Sequence, residues 1–245
     1  MGNEIIETSR EGGLETNKRK TKSMSSTGQR TNKQMVLDEI EIEEVNEYSY
    51  LGQIVAFEDR IEKELKSRKN KAWGKFWTMK KIFGNKKLSL NSKIRILDGC
   101  ILPVLTYGAQ TWSLTKSQTL KLKSTQRAME RRILGIRNSD KISNIKIRTK
   151  TQSEDVGSKI KKLKFKNAGH MIRMKEDRWN RRVTDWTPYE NKRGKGRPRT
   201  RWRDEIRNRV GKQWKNAARD RPQWWRIGEA YGPFICKFCI YNDRE

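Results

Sequence analysis

Apolar residues at helical spacing dominate one stretch of the chain. In 94–112 they fall at Ile94, Leu97, Ile101, Val104 and Leu105, with Gly108 in phase, so one face of a helix is predicted to be buried. Pro103 lies inside this pattern, and a kink or split is expected there, because proline lacks an N–H and crowds the turn before it. Upstream, 58–83 carries Ile61, Leu65, Ala72, Phe76, Met79 and Phe83 on one helical face and Lys63, Lys66, Arg68, Lys69 and Lys71 on the other. Downstream, 116–136 repeats the pattern at Leu122, Met129, Ile133 and Ile136, and 156–186 at Val156, Ile160, Leu163, Met171 and Met174. These periods predict helices at 58–83, 94–112 and 116–136, packed as the only cooperative core. Residues 137–155 are polar and are expected to close that unit without a helix.

Period-two alternation occurs once. Glu39–Glu43 alternates acid and isoleucine, and Tyr48–Val55 forms a second β-prone run, so 36–56 is predicted to be a small hairpin. Residues 1–35 are polar and predict a mostly disordered basic tail. Two Gly and two Pro exclude a helix from 187–203, leaving a basic arm that carries Lys192, Arg193, Lys195, Arg197, Arg199, Arg201 and Arg203 and a single acid, Glu190, outside the basic run. In 204–245, a short helix around Trp214 is expected between Gly211 and Pro222, and Trp224, Trp225 and Ala230 mark one more turn or two after it. With Trp202, these tryptophans make either a small core or a base-stacking platform. The expected architecture is thus mainly α: tail 1–35, hairpin 36–56, helical unit 57–140, helical segment 156–186, arm 187–203 and a Trp-rich helical region 204–245.

Charge changes this picture more than composition does. The 57 basic and 29 acidic residues give a net charge of +28, which a polyanionic partner would neutralise. Nine tryptophans interleaved with arginine favour nucleic acid over an anionic membrane, because bases stack on aromatic and guanidinium planes. No apolar run reaches membrane-spanning length. The first residues lack the charged and apolar regions of a signal peptide. With only three cysteines, a reducing nuclear or cytoplasmic setting rather than secretion is expected. Cys236 and Cys239 supply two of the four ligands zinc needs, and His170 has no local partner, so no metal site is expected; a packing or hydrogen-bonding role is expected for His170.

Several segments, in order, resemble the C-terminal part of the reverse transcriptase of non-LTR, RTE-like retrotransposons. Gly13-Leu14-Glu15-Thr16-Asn17-Lys18-Arg19-Lys20-Thr21-Lys22-Ser23-Met24 resembles its last palm motif, G-L-x-x-N-x-x-K-T-K-x-M. Tyr50-Leu51-Gly52 resembles the primer-grip hairpin, and Ile101–Trp112 the segment R-P-x-L-x-Y-G-x-E-x-W, with Leu102 and Gln110 departing from it. Ala128–Gly135 resembles the thumb sequence A-M-x-R-x-I-L-G, Ala168–Met174 resembles A-G-H-x-x-R-M, and Gly196–Asp204 resembles the basic C-terminal pattern. Within the last, Gly196-Arg197-Pro198 is also similar to the core of an AT-hook, a segment that lies in the minor groove.

The resemblance implies a primer-grip-like hairpin, a thumb-like helical bundle, and binding of template–primer-like RNA or DNA. It implies nucleic-acid contacts at Lys20, Lys22, Tyr50, Leu51, Gly52, Arg131 and Arg132, to which the single-signed face of 58–83 adds Lys66 and Lys69 and the arm its seven cations. It places Lys20 near the incoming nucleotide's phosphates. The family polymerises with two Mg²⁺ held by palm aspartates. This chain has no Asp-Asp pair, so for the chain itself no cofactor and no independent catalysis are expected. The expected function is a transposon-derived, nucleic-acid-binding fragment. A host-used DNA- or RNA-binding adaptor and an incomplete piece of an active enzyme are the alternatives.

Overall fold

Pro103 does not break its helix. In the structure, a computed structural model describing residues 2–15, 17, 20–25, 35–37, 40–185 and 201–230, the helix widens instead. α4 (Leu90–Ile96) passes into a π-turn at Leu97–Ile101 and on into α5 (Leu102–Leu105), with Leu102 N–H donating to the Leu97 carbonyl. The wider turn admits the proline ring near the start of α5, where its missing N–H costs least. Ile94, Leu97, Ile101 and Leu105 are buried, as the pattern predicts, Val104 is half-buried, and Leu102, Ala109 and Trp112 are buried in addition.

The chain is mainly helical and divides into two units, Met1–Glu64 and Leu65–Glu245. In the first, Gly2–Glu11 forms helix α1, a correction to the expected tail. Ile6 is buried there, giving a polar segment one apolar anchor. The rest of 1–35 is described only at 12–15, 17, 20–25 and 35. The predicted single hairpin is two ribbons: β1 (Met35–Leu37) pairs with β2 (Ile40–Ile42), and β3 (Tyr48–Tyr50) with β4 (Gln53–Val55), both antiparallel. The Tyr48–Val55 run folds back on itself because Leu51 and Gly52 both take positive φ, 49° and 78°. Two such residues make the tight turn whose twist matches the strands.

Most of the second unit is built from helices α2 (Arg60–Thr78, its first turn still in the first unit), α3 (Lys80–Gly84), α4, α5, α6 (Lys116–Leu134), α7 (Asn144–Thr151), α8 (Val156–Arg173), α9 (Trp179–Asp185), α10 (Trp202–Val210), α11 (Trp214–Arg219) and α12 (Arg221–Ala230). α6 starts at a capping box between Thr115 and Gln118 and stops at Gly135, whose φ of 68° satisfies the helix end. α7 falls where no helix was expected. Eight residues with Ile147 as the fully buried apolar contact show too little periodicity to be read in sequence.

α6 and α8 are joined by buried polar groups around the turn at 152–155. The Gln126 side chain, fully buried, donates to Ser153 Oγ (3.1 Å) and the Glu154 carbonyl (2.7 Å) and accepts from Val156 N–H (2.8 Å). Asp155 caps α8 through Gly157 and Ser158 N–H and pairs with Arg148 at 2.7 Å. Arg127 and Glu130 form a buried ion pair, and Glu130 also accepts from Thr151 Oγ1 at 3.3 Å. Burial pushes the Glu130 carboxyl up and the Arg127 guanidinium down, and their mutual attraction opposes both shifts.

A second buried cluster corrects the expectation of one core. Phe165, Ala168 and Ile172 of α8 pack with Ile206, Trp214, Ala218 and Trp224. Trp224 stacks on Phe165 with centroids 3.8 Å apart and donates to the Phe165 carbonyl at 3.1 Å. The buried face of α8 is rotated from the predicted one: Lys164, not Leu163, points inward and donates to the Trp112 carbonyl (3.2 Å) and Glu205 (2.8 Å). A buried lysine is invisible to a hydrophobicity count. Trp214 and Trp224 are therefore core, Trp202 packs against that core half-buried, Trp225 is exposed, and His170 is exposed rather than packed.

Gly169 lets Trp224 approach; a Cβ there would lie 2.3 Å from its Nε1. Gly169→Ala should cost about 1–3 kcal/mol, read by thermal unfolding and by loss of the near-ultraviolet tryptophan signal. Glu130→Ala should cost about 3–5 kcal/mol in urea unfolding, because it removes the nearer of two carboxylates facing a buried guanidinium and leaves only Asp155 at 3.6 Å, whereas Arg127→Met with Glu130→Leu should recover most of that loss.

Candidate nucleic-acid interface

The helical patterns place α2 and α6 with their cationic sides outward, and a shallow groove of about 520 Å³ runs between them. Its walls carry Lys69 and Trp73 from α2 and Leu120, Lys121, Ser124 and Ala128 from α6. Leu120 is 64% exposed, an apolar side chain left in the open among cations. Near the groove, two residues of α2 and one of α6 form a ladder. Trp73 and Trp77 lie nearly parallel, with centroids 5.9 Å apart. The Arg132 guanidinium sits 4.8 Å from the Trp77 ring and 5.4 Å from Trp73. Trp77 is 44% exposed. Cations and open π-surfaces side by side can take phosphate and base together.

The other predicted contacts are scattered. Lys66 is exposed and Lys69 is in the groove. Arg131 is committed to the fold, donating to the Ile142 carbonyl and to Asn144 Oδ1 (3.0 Å), which fixes the loop before α7. Arg68, read as surface, is buried with its guanidinium 4.5 Å over Tyr107. In the first unit Lys22 pairs with Glu43, and the Lys20 carbonyl accepts from Tyr48 Oη at 3.3 Å. This lays the segment at 20–23 along the strands, where Ser23 bridges Glu44. Tyr50 and Leu51 are exposed at the turn that Gly52 completes. Arg201 and Arg203 flank Trp202, whose indole donates to the Gln110 carbonyl at 2.7 Å. Lys192, Arg193, Lys195, Arg197, Arg199, Cys236 and Cys239 lie outside the described residues.

Sequence reading missed Trp73, Trp77 and Lys121. The signal was present: Trp73 and Trp77 stand four apart, one position beyond the buried Ala72 and Phe76, on the flank of that face.

The buried carboxylates of the second unit are each tied to the fold. Burial raises the Asp98 carboxyl above its ordinary range, opposed by Ser153 Oγ (2.6 Å) and Glu154 N–H. Asp98, Glu130 and Asp155 are thus each held by groups of the fold, and among the described residues no cluster of three His, Cys, Asp or Glu could hold a metal ion. Among the same residues no helix is long and apolar enough to cross a membrane.

These features define a basic, mainly helical protein with a cationic–aromatic groove and no assembled acid cluster among the described residues. The chain is 30% identical over 247 aligned residues to a transposon-derived protein of Caenorhabditis elegans, an alignment covering 93% of this chain and 87% of that protein. It belongs to that family of transposon-derived proteins. No family model matches the chain, and no solved structure matches it.

Proposed function

We propose that this chain is a non-LTR retrotransposon reverse-transcriptase segment that binds template–primer-like nucleic acid along the α2–α6 groove and does not polymerise by itself. The transposon-derived relative and the order of the resembling motifs support the origin. The observation that carries the binding is the groove itself: Lys69 and Lys121 in its walls, with the Trp73–Trp77–Arg132 ladder nearby, in a chain of net charge +28. The cations neutralise phosphates and the ladder takes an unstacked base, so recognition rests on backbone and stacking rather than on base sequence. Lys66 lies on the same helix as Lys69; by the motif resemblance, Tyr50, Leu51 and Gly52 in the first unit and the cations from Lys192 to Arg203 are separate nucleic-acid contacts. Its setting is wherever such nucleic acid is found, nucleus or cytoplasm.

The residues present do not fit the two-Mg²⁺ centre of the family. The sequence has no Asp-Asp pair, and Asp98, Glu130 and Asp155 are held by hydroxyl, N–H and basic partners. No catalytic step is assigned to this chain.

Replacing Lys69, Lys121 and Arg132 together by Ala should flatten the slope of log K against log salt on duplex DNA by about 2–3 if all three meet phosphate. The loss should be uniform across sequences; a loss confined to particular sequences would favour the host-used adaptor instead. Supplied with a primed RNA template, nucleotides and Mg²⁺ or Mn²⁺, the chain should incorporate no labelled nucleotide. Incorporation that a Lys20→Ala variant abolishes would overturn that part of the reading.

A further inference from the structure

Away from the α2–α6 groove, a cleft of about 580 Å³ opens where the turn at Ala109–Thr111, the second half of α8, α9 and the start of α10 converge. Its chemistry is mixed in a specific way. Met171, Val183 and the Trp202 indole give apolar surface, Gln110, Asn167 and Asn180 give amides, and Arg201 and Arg203 stand at the beginning of α10. Among the described residues, no carboxylate lines it. The Trp202 ring is fixed by its bond to the Gln110 carbonyl, and Lys164 lies 5.6 Å from its centroid. The two asparagines spend their amide N–H on thioethers, Asn167 on Met171 Sδ at 3.1 Å and Asn180 on Met174 Sδ at 3.9 Å. A thioether is a weak acceptor, so an oxygen or ring nitrogen in the cleft displaces it with a gain.

We propose that this cleft takes one unstacked nucleobase of a single strand, a deeper version of the nucleic-acid reading above and resting on it. The base lies against Trp202 and Met171, its edge meets the amides of Asn167 and Asn180, and Arg201 and Arg203 hold the adjoining phosphates. Amides that both donate and accept match the mixed edges of a base. An acidic peptide's carboxylates would meet the arginines but bring no flat ring to lie against Trp202. The volume falls within the range of small-molecule sites, about 300–1,000 Å³. The cleft would thus sort single strands from duplex, since a paired base cannot enter.

The full chain is titrated with short single strands and with a blunt duplex. Asn167→Leu deletes one amide at a half-buried position, and Val183→Trp fills the cleft from a residue 61% exposed, so both should fold. Each should weaken single-strand binding about tenfold and leave duplex binding unchanged, whereas the Lys69/Lys121/Arg132 variant should weaken the duplex. Single strands carrying 5-bromouridine should cross-link to peptides containing Met171 or Trp202. Duplex binding with single-strand affinity indifferent to both variants, and cross-links confined to α2 and α6, would remove the cleft and leave the groove standing. No binding of either nucleic acid by the wild type would remove both.

Discussion

The buried carboxamide of Gln126 is the joint on which the second unit depends. One side chain gives two donors and one acceptor to the turn at 153–156, and so fixes where α8 begins relative to α6. Asp98, brought to the same turn by the π-bulge, accepts from Ser153, so the helix carrying Pro103 is tied in as well. Such a joint is stiff because its groups lie away from water, where a lost hydrogen bond leaves a costly orphan. Everything C-terminal then follows from α8. Lys164 fastens α10 through Glu205, and Phe165 with Gly169 receives Trp224.

The same joint explains how a chain of net charge +28 folds while keeping a positive exterior. Acidic residues are spent inside or against the fold: Glu130 on Arg127, Asp155 on Arg148, Glu154 on Lys162, Glu205 on Lys164. Lys66, Lys121 and Arg132 face solvent on α2 and α6. Internal pairing thus concentrates the unbalanced charge on the outside, where a polyanion can relieve it. Trp77 and Leu120 are left exposed among these cations, outside the core.

The motifs that resemble the retrotransposon enzyme have separate structural jobs. Tyr50-Leu51-Gly52 is a tight turn, the proline segment is the π-bulged core helix, and Gly169 is the seat of a tryptophan. The Lys22–Glu43 pair and the bond from Tyr48 to the Lys20 carbonyl lay the first motif along the strands of its own unit.

Sequence alone determined the mainly helical class, the buried faces of α2 and α6, the buried run through Pro103 and the net charge of +28, because each is written in local periodicity or in a sum over residues. It did not show α7, the burial of Arg68 and Lys164, the structural duty of Arg131 or the alignment of Trp73, Trp77 and Arg132. Those depend on partners far along the chain: Lys164 reaches Glu205 over 41 positions, and Gln126 reaches Val156 over 30. A charged side chain reads as surface until a distant carboxylate or carbonyl arrives to satisfy it, and only the tertiary structure supplies that partner.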